Sequence, residues 1–196
     1  MNREKTAASS RQEEVEVKIP SADLGRAREK LREAGGRLRA AIHFESNDLF
    51  DDERGTLAAT GRALRLRRTD TEALLTSKGP ARFENGVKIR RENETRVSDA
   101  GQTEAILAGL GYVRRFRYEK RREEWELEDC VVALDETPIG SFVEVEGTPP
   151  AIRRVVSLLG LDFASAVPYT YAKLYAQRRR EDPTLPNDMV FKEPNL

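Results

Sequence analysis

The sequence contains one cysteine, Cys130, and one histidine, His43. A single cysteine excludes a disulfide within the chain and any metal site built from several cysteines. It is compatible with a reducing cytosol. His43 lies beside Phe44, and we interpret it as a packing or surface residue rather than a general base. The chain also lacks a glycine-rich loop of the kind that surrounds phosphate groups in nucleotide-binding folds.

Long apolar runs are absent as well. Residues 1–12 are polar and charged, with no apolar segment of the kind found in secretory signals, and we predict a disordered leader there. No segment approaches the length that is needed to span a membrane. We therefore expect a soluble, cytoplasmic protein with no membrane partner.

Neither sign of charge is in excess. Charged residues make up 35% of the 196 positions, yet Lys+Arg and Asp+Glu both number 34, and the formal net charge is zero. A general nucleic-acid-binding protein normally has a basic excess, so we expect no nucleic-acid partner. The balanced charges must either cover the surface or gather in clusters of mixed sign.

Hydrophobic periodicity predicts an α+β chain with four helices and a large, mainly antiparallel sheet. The helices are expected from an N-cap at Ser21 to Gly35-Gly36, from about Asp99 to Gly111, from Thr148 to Gly160, and over 168–179. Residues 181–196 are predicted to form an extended tail, in which Met189-Val190-Phe191 is apolar enough to dock onto the body. Alternation predicts strands at 13–19, 42–50, 62–69, 72–78, 87–97, 112–120, 121–128, 130–136 and 141–147.

The polar phase of these strands is almost wholly ionised. In Glu14-Val15-Glu16-Val17-Lys18 the charged residues alternate with valines, and Arg65 and Arg67 alternate with leucines. Any one strand could turn such a face to solvent. The amphipathic helices, however, need the apolar phase, so the charged phases together would line the other face, which becomes a lumen if the sheet closes. Other charged residues either share this alternation in their strands or stand at the end of a strand: Lys78, Arg90, Glu92, Glu94, Lys120, Arg122, Glu124, Asp135, Glu144 and Glu146.

Charges of both signs that face one another in a lumen are costly unless a ligand uses them. Glutamate carboxylates bind hard divalent cations through oxygen. Lysine and arginine neutralise phosphate oxygens, arginine often with two parallel hydrogen bonds. A nucleotide or polyphosphate that brings its own metal uses both sets, so the pattern predicts a metal–phosphate site.

In their order along residues 13–176, these motifs resemble the CYTH or triphosphate-tunnel metalloenzyme family, which includes class IV adenylate cyclases and thiamine triphosphatases. The resemblance implies a CYTH domain over residues 13–180, a closed eight-stranded antiparallel β-barrel or tunnel with a charged lumen and helices outside. One segment departs from the family, because Asn47-Asp48-Leu49-Phe50-Asp51 replaces an Asp-x-Tyr-Phe or Asp-x-Tyr-Tyr motif, and we assign it no role. The segments that carry the resemblance are Glu14–Lys18, Ala63–Arg67, Leu75–Pro80, Arg90–Glu94, Lys120–Arg122, Ala133–Asp135, Gly140–Glu146 and Tyr171–Leu174.

The resemblance also implies roles for the charged residues. The catalytic residues would be Glu14, Glu16, Lys18 and Asp135. Mg²⁺ or Mn²⁺ would lie near Glu14, Glu16, Glu144 and Glu146. The triphosphate would bind to Lys18, Arg65, Arg67, Lys78, Arg90, Lys120 and Arg122.

Overall similarity is greatest to class IV adenylate cyclases, which implies conversion of ATP to cyclic AMP and pyrophosphate. Hydrolysis of inorganic triphosphate, or of an organic one such as thiamine triphosphate, is the alternative. A non-catalytic polyphosphate-binding module fits less well, because it would not need the glutamates. Dimers are common in the family and make a homodimer an expectation, although no residue pattern here indicates an interface.

Overall fold

The computed structural model describes residues 13–21 and 23–192. The predicted leader, residues 1–12, and the last four residues of the predicted tail lie outside the described residues. Among the described residues, no helix has the length and apolar character that crossing a membrane requires. The helices are α1 (Leu24–Glu33), α2 (Thr56–Ala59), α3 (Ala100–Gly109), α4 (Pro149–Leu158) and α5 (Tyr171–Glu181), with a 3₁₀ turn at Phe163–Ser165. The strands are β1 (Glu13–Pro20), β2 (Arg37–Asp51), β3 (Ala63–Arg68), β4 (Ala73–Lys78), β5 (Arg82–Glu84), β6 (Val87–Val97), β7 (Val113–Leu127), β8 (Cys130–Thr137) and β9 (Gly140–Glu146).

Eight of the strands close into a ring. Their order is β1-β9-β8-β7-β2-β3-β4-β6, and β1 returns to pair with β6. Every pairing in the ring is antiparallel. The short strand β5 lies outside this order and forms a hairpin with the start of β6. The predicted eight-stranded antiparallel tunnel is confirmed.

The apolar phase of the strands faces a core outside the ring. Val17 and Ile19 of β1 are buried there against Leu31 of α1 and against Ile152 and Val155 of α4. These helices therefore cover the apolar face of the sheet, as amphipathic helices do in α+β folds. The charged phase is left for the interior of the ring.

Some element boundaries differ from the prediction. The predicted strands 112–120 and 121–128 form the single strand β7, which pairs with a β2 that begins at Arg37 rather than at 42. The N-cap of α1 is Asp23 instead of Ser21, because the Asp23 carboxylate accepts a hydrogen bond from the backbone N–H of Arg26 at 2.9 Å. The short elements α2 and β5 were not predicted.

The apolar segment after α5 docks onto β7, as predicted. Met189 is fully buried, its N–H donates to the Arg117 carbonyl, and its carbonyl accepts from the Glu119 N–H, both at 2.9 Å. These bonds form a parallel bridge beside Tyr118. Met189 thus joins an aromatic cluster that contains Phe116, Tyr118, Phe142, Tyr171 and Tyr175.

Candidate active site

The ring encloses a cavity of about 1520 Å³, which we call the tunnel cavity. Its lining includes twelve basic and ten acidic side chains, and every ring strand except β8 contributes at least one of them. This near-balance of charge matches the mixed-sign lumen that the strand phases predict. Eleven of the twelve predicted site residues line the cavity: Glu14, Glu16, Lys18, Arg65, Arg67, Lys78, Arg90, Lys120, Arg122, Glu144 and Glu146.

Four of the carboxylates lie on the neighbouring strands β1 and β9. Glu16 is directly opposite Glu146 in the antiparallel register, and Lys18 is opposite Glu144. Burial and the negative charges of Glu14 and Glu16 together raise the pKa of Glu146 to about 7. These four carboxylates therefore carry more negative charge than the neighbouring cations neutralise.

The buried cations of the wall are held by carboxylates of the same wall. Lys18 Nζ lies 3.1 Å from Glu144, and Lys78 Nζ lies 3.3 Å from Glu14. Burial lowers the pKa of Lys78 to about 7, and the neighbouring guanidinium of Arg65 acts in the same direction. The wall therefore contains cations that another anion could stabilise.

Asp135 is the predicted site residue that does not line the tunnel cavity. Its carboxylate is fully buried beneath the lining side chains and accepts hydrogen bonds from Arg122 Nε at 2.7 Å, Lys120 Nζ at 3.2 Å and the Tyr171 hydroxyl at 2.7 Å. Burial and the charge of Asp135 together raise the pKa of Tyr171 well above its ordinary value. Asp135 lies on the same phase of β8 as Val131, which lines the cavity, but the side chains that bond to its carboxylate cover it. Its catalytic role stays a prediction. Its geometry is that of a positioning residue.

Glu45 and His43 of β2 belong to the tunnel wall, although neither was predicted as a site residue. Glu45 is 1% exposed and lies 3.4 Å from both Lys120 and Arg67. His43 Nε2 lies 3.6 Å from Glu45, and this contact raises the pKa of His43. His43 is partly exposed in this wall, and its interpretation as a packing or surface residue rather than a general base stays a prediction. Extending the alternation of charged and apolar residues to β2 would have identified both residues.

Lys88 of β6 was also missed, although it shares the phase of Arg90. It pairs with Glu16 across β1 and β6 and lines the tunnel cavity. The alternation of β6 could have identified Lys88 as well, since Lys88, Arg90 and Glu92 are spaced two residues apart.

The segment that departs from the family pattern serves the wall from behind. The Asn47 side chain accepts a hydrogen bond from Arg67 Nε at 3.2 Å. Asp48 is buried and pairs with Arg117 at 2.7 Å. Asp51 accepts hydrogen bonds from two backbone N–H groups at the start of α2. These contacts hold Arg67, Arg117 and the start of α2 in place.

The carboxylates of β1 and β9 fit a divalent cation by their chemistry. They supply oxygen ligands, which Mg²⁺ and Mn²⁺ prefer, and burial together with the charges of Glu14 and Glu16 raises the pKa of Glu146, a strain that a bound cation would relieve. Among the described residues, no group of three or more acidic, histidine or cysteine side chains is already arranged around a metal position. Glu14, Glu16 and Glu144 are instead drawn toward lysines.

Comparison with known proteins places this site in a wider context. The family model described as the CYTH domain matches residues 12–158, whereas no curated protein matches the chain significantly. A proposed adenylate cyclase from Vibrio parahaemolyticus shares the fold with a TM-score of 0.74 and 20% identity, over 85% of this chain and 99% of its own. A protein from Pyrococcus horikoshii has a TM-score of 0.72 and 26% identity, over 85% and 99%. A proposed adenylyl cyclase from Hippeastrum with dominant triphosphatase activity has a TM-score of 0.61 and 22% identity, over 89% and 98%.

Proposed function

Because the chain belongs to the CYTH domain family, we propose that it is a metal-dependent enzyme that binds a triphosphate inside the ring. The observation that carries this proposal is the pairing of cations and carboxylates along a single enclosed cavity. With twelve basic and ten acidic side chains, the lining has a small formal excess of positive charge. A complex of triphosphate with one divalent cation keeps a net negative charge, which such a lining complements.

Binding would exchange the internal ion pairs for new ones. Phosphate oxygens would take over Lys18 and Lys78 from Glu144 and Glu14, which lie 3.1 and 3.3 Å away from these lysines. The released carboxylates would then be free to hold Mg²⁺ or Mn²⁺. Bound there, the metal would neutralise charge on the phosphates and activate a nucleophile. The residues proposed to hold it are Glu14, Glu16, Glu144 and Glu146.

The remaining cations would orient the phosphate chain and neutralise the charge of the leaving group. Arg65, Lys120 and Arg122 are almost fully buried, so their interactions with phosphate would be little screened by water. Asp135 would keep Lys120 and Arg122 in position from behind. Positioning and charge neutralisation are the main contributions of a protein to phosphoryl and nucleotidyl transfer.

The reaction that we propose first is cyclisation of ATP. The ribose 3′-oxygen attacks the α-phosphorus, the bond from that phosphorus to the bridging oxygen breaks, and pyrophosphate leaves with the electron pair while the hydroxyl proton is released. The segments Leu75–Pro80 and Ala133–Gly140 support this reaction by their resemblance to class IV adenylate cyclases. The description of the Vibrio parahaemolyticus structure as a proposed adenylate cyclase agrees with it.

Hydrolysis of a triphosphate is the second candidate. It is favoured by the neighbour from Hippeastrum, a proposed cyclase whose dominant activity is that of a triphosphatase. In this reaction a water molecule attacks the terminal phosphorus and orthophosphate is released. Both reactions start from the same bound triphosphate, so the same wall residues would serve either one.

Product analysis by ³¹P NMR distinguishes the two reactions. The protein is incubated with ATP, inorganic triphosphate and thiamine triphosphate, each with Mg²⁺ and with Mn²⁺. Pyrophosphate together with cyclic AMP identifies a cyclase, and orthophosphate identifies a hydrolase. If none of the three substrates is turned over with either metal, the proposed enzymatic function is wrong and a binding module becomes the better description.

A further inference from the structure

The first half of β7 has an edge that β8 does not reach. β8 pairs with β7 only from Arg121 to Leu127. Residues 182–192, which we call the docked segment, reach this edge instead, through the parallel bridge between Met189 and Tyr118. An uncovered strand edge exposes unpaired N–H and C=O groups, so the docked segment satisfies part of the ring that the hairpin of β7 and β8 leaves open.

The docked segment is bound to α5 as well as to β7. The Tyr175 hydroxyl of α5 donates a hydrogen bond to the Pro186 carbonyl at 2.9 Å, and the Asp188 carbonyl lies 3.2 Å from the same hydroxyl. Farther along, the Phe191 N–H donates to the Glu119 carboxylate of β7 at 3.0 Å. The segment therefore ties the last helix to a strand of the tunnel wall.

Beneath the docked segment, aromatic rings lead to the tunnel cavity. Met189 is fully buried in the aromatic cluster that contains Tyr118 and Tyr171, and these two rings lie 5.9 Å apart between their centres. Both tyrosines also line the tunnel cavity. The Lys18 ammonium lies over the Tyr171 ring at 3.9 Å, a cation–π contact. Packing contacts thus run from Met189 to side chains that face the lumen.

Tyr118 also contacts Arg65, whose guanidinium is otherwise loosely held. The Tyr118 hydroxyl lies 3.5 Å from Arg65 Nη1 as an acceptor, and the contacts of Nη2 with Thr76 and Glu94 are 3.2 and 3.4 Å long. Among the described residues, the buried Arg65 Nε has no hydrogen-bond partner. The orientation of Arg65 therefore depends strongly on the packing of its neighbours, of which Tyr118 is one.

We propose that the docked segment is a positioning element for triphosphate binding, in which Met189 holds Tyr118, and through it Arg65, in the orientation that receives a phosphate. This inference rests on the proposed function and adds residues that act on the site without touching the substrate. Loss of the Met189 side chain would let Tyr118 shift and leave Arg65 with weaker contacts. Binding of the triphosphate should weaken, whereas the bond-breaking step, which depends on the proposed metal ligands, should change little.

The test measures the Kd for inorganic triphosphate with Mg²⁺ by calorimetry in full-length variants. Met189→Ala removes the side chain beside Tyr118, and we expect Kd to rise about fivefold. Met189→Leu keeps most of the volume, so Kd should stay within about twofold of the wild-type value. Leu159→Ala is the matched control, because Leu159 is also buried but lies in the core outside the ring. It should lower the melting temperature without changing Kd.

Tyr118→Phe tests the route through which Met189 acts. This variant keeps the ring and removes the hydroxyl that lies near Arg65. If both side chains act on Arg65 through the same contact, the combined variant Met189→Ala with Tyr118→Phe should raise Kd by less than the product of the two separate factors. A rise equal to that product would overturn the proposed route.

Equal changes of Kd in Met189→Ala and Leu159→Ala, or no change in either, would overturn the inference while leaving a triphosphate-binding protein intact. If Met189→Ala does not fold, Asp188→Asn replaces it, because it removes the charge that attaches the docked segment to Arg114. Its Kd should rise at least about twofold, and an unchanged Kd would contradict the inference. A wild-type protein that binds no triphosphate would refute the proposed function as well.

Discussion

The carboxylate of Glu16 faces the tunnel cavity, where it pairs with Lys88 and lies opposite Glu146. We propose it as a metal ligand, and Glu16→Gln keeps its shape while removing its charge. Turnover of the preferred triphosphate is expected to fall at least about 100-fold, because loss of a metal-binding carboxylate weakens both metal affinity and activation of the nucleophile. Steady-state kinetics measures the loss, and a melting temperature within a few degrees of wild type shows that folding is retained.

Glu13 provides the control for this substitution. It lies on the same strand but on the opposite phase, and it pairs with Arg82 at the exterior. Glu13→Gln should leave turnover unchanged within about twofold, since exposed ion pairs contribute little. A similar loss of activity in both variants would mean that the lumen-facing side of β1 is not the side that binds the metal.

Asp135 affects the site through its neighbours rather than by contact with substrate. Asp135→Asn removes the charge that Lys120 and Arg122 share and leaves both cations buried. Breaking one side of a buried ion pair costs about 3–5 kcal/mol, so we expect the urea midpoint to fall markedly. The KM for triphosphate should rise as well, because the two cations lose their anchor.

Tyr171→Phe separates this effect from the loss of a single hydrogen bond. The variant removes only the bond from the Tyr171 hydroxyl to Asp135, which contributes about 1 kcal/mol. If Asp135→Asn proves no more destabilising than Tyr171→Phe, the buried carboxylate does not organise the wall.

At the scale of elements, the segment after α5 is held onto β7 by Asp188 as well as by Met189. Asp188 accepts hydrogen bonds at 2.8 Å from the Arg114 side chain and from the Arg117 N–H. Burial alone would raise the pKa of Asp188, but these two hydrogen bonds outweigh it and hold the pKa below its ordinary value of 3.8. The Asp188 carboxylate therefore attaches the segment to β7 in a pH-dependent way.

The lowered pKa sets the direction of the pH dependence. The stabilising contribution is fully present above the ordinary pKa of 3.8, and it is lost as the pH falls through the lower pKa of the folded state. Asp188→Asn should therefore reduce the free energy of unfolding at pH 7 by up to about 1 kcal/mol, after allowance for solvent screening. Urea unfolding from pH 7 to pH 3 should show the difference from wild type shrinking at the acidic end. A difference that is constant over this range would contradict the prediction.

The elements also show what the sequence could predict. The two-residue period of Glu14–Lys18 and of Arg65–Arg67 identifies which side chains face the lumen, because alternation in a strand determines the face directly. Alternation does not determine depth, so it places Asp135 on the lumen face but does not show that neighbouring side chains cover its carboxylate. The continuity of β7 was missed because residues 119–124 are all charged, so the alternation that marks a continuous strand is interrupted there. The N-cap at Asp23 was missed because Ser21 and Asp23 are both good N-cap residues.

For the whole molecule, the internal ion pairs imply that metal and triphosphate stabilise the fold together. The metal alone would compete with lysines for the carboxylates, and the triphosphate alone would leave the carboxylates unpaired. We expect the melting temperature to rise by several degrees when Mg²⁺ and triphosphate are added together. This rise should exceed the sum of the rises that each of them produces alone. Differential scanning fluorimetry with each addition measures this coupling. Strictly additive increments, or a coupling that persists unchanged in Glu16→Gln, would contradict it.

The closure of the ring by β1 also determines how the protein can fold. β1 precedes all the other ring strands in the chain, yet Glu16 pairs with Glu146 and Glu14 pairs with Arg90. During synthesis, β1 must wait until β9 has left the ribosome before its pairings can be completed. Folds dominated by such distant pairings form slowly, because the entropy of closing long loops is lost before the contacts are gained. In the nascent chain, therefore, Val17 of β1 remains without its partner Val145 until almost the whole domain has been made, and this interval is when the protein is most exposed to misfolding.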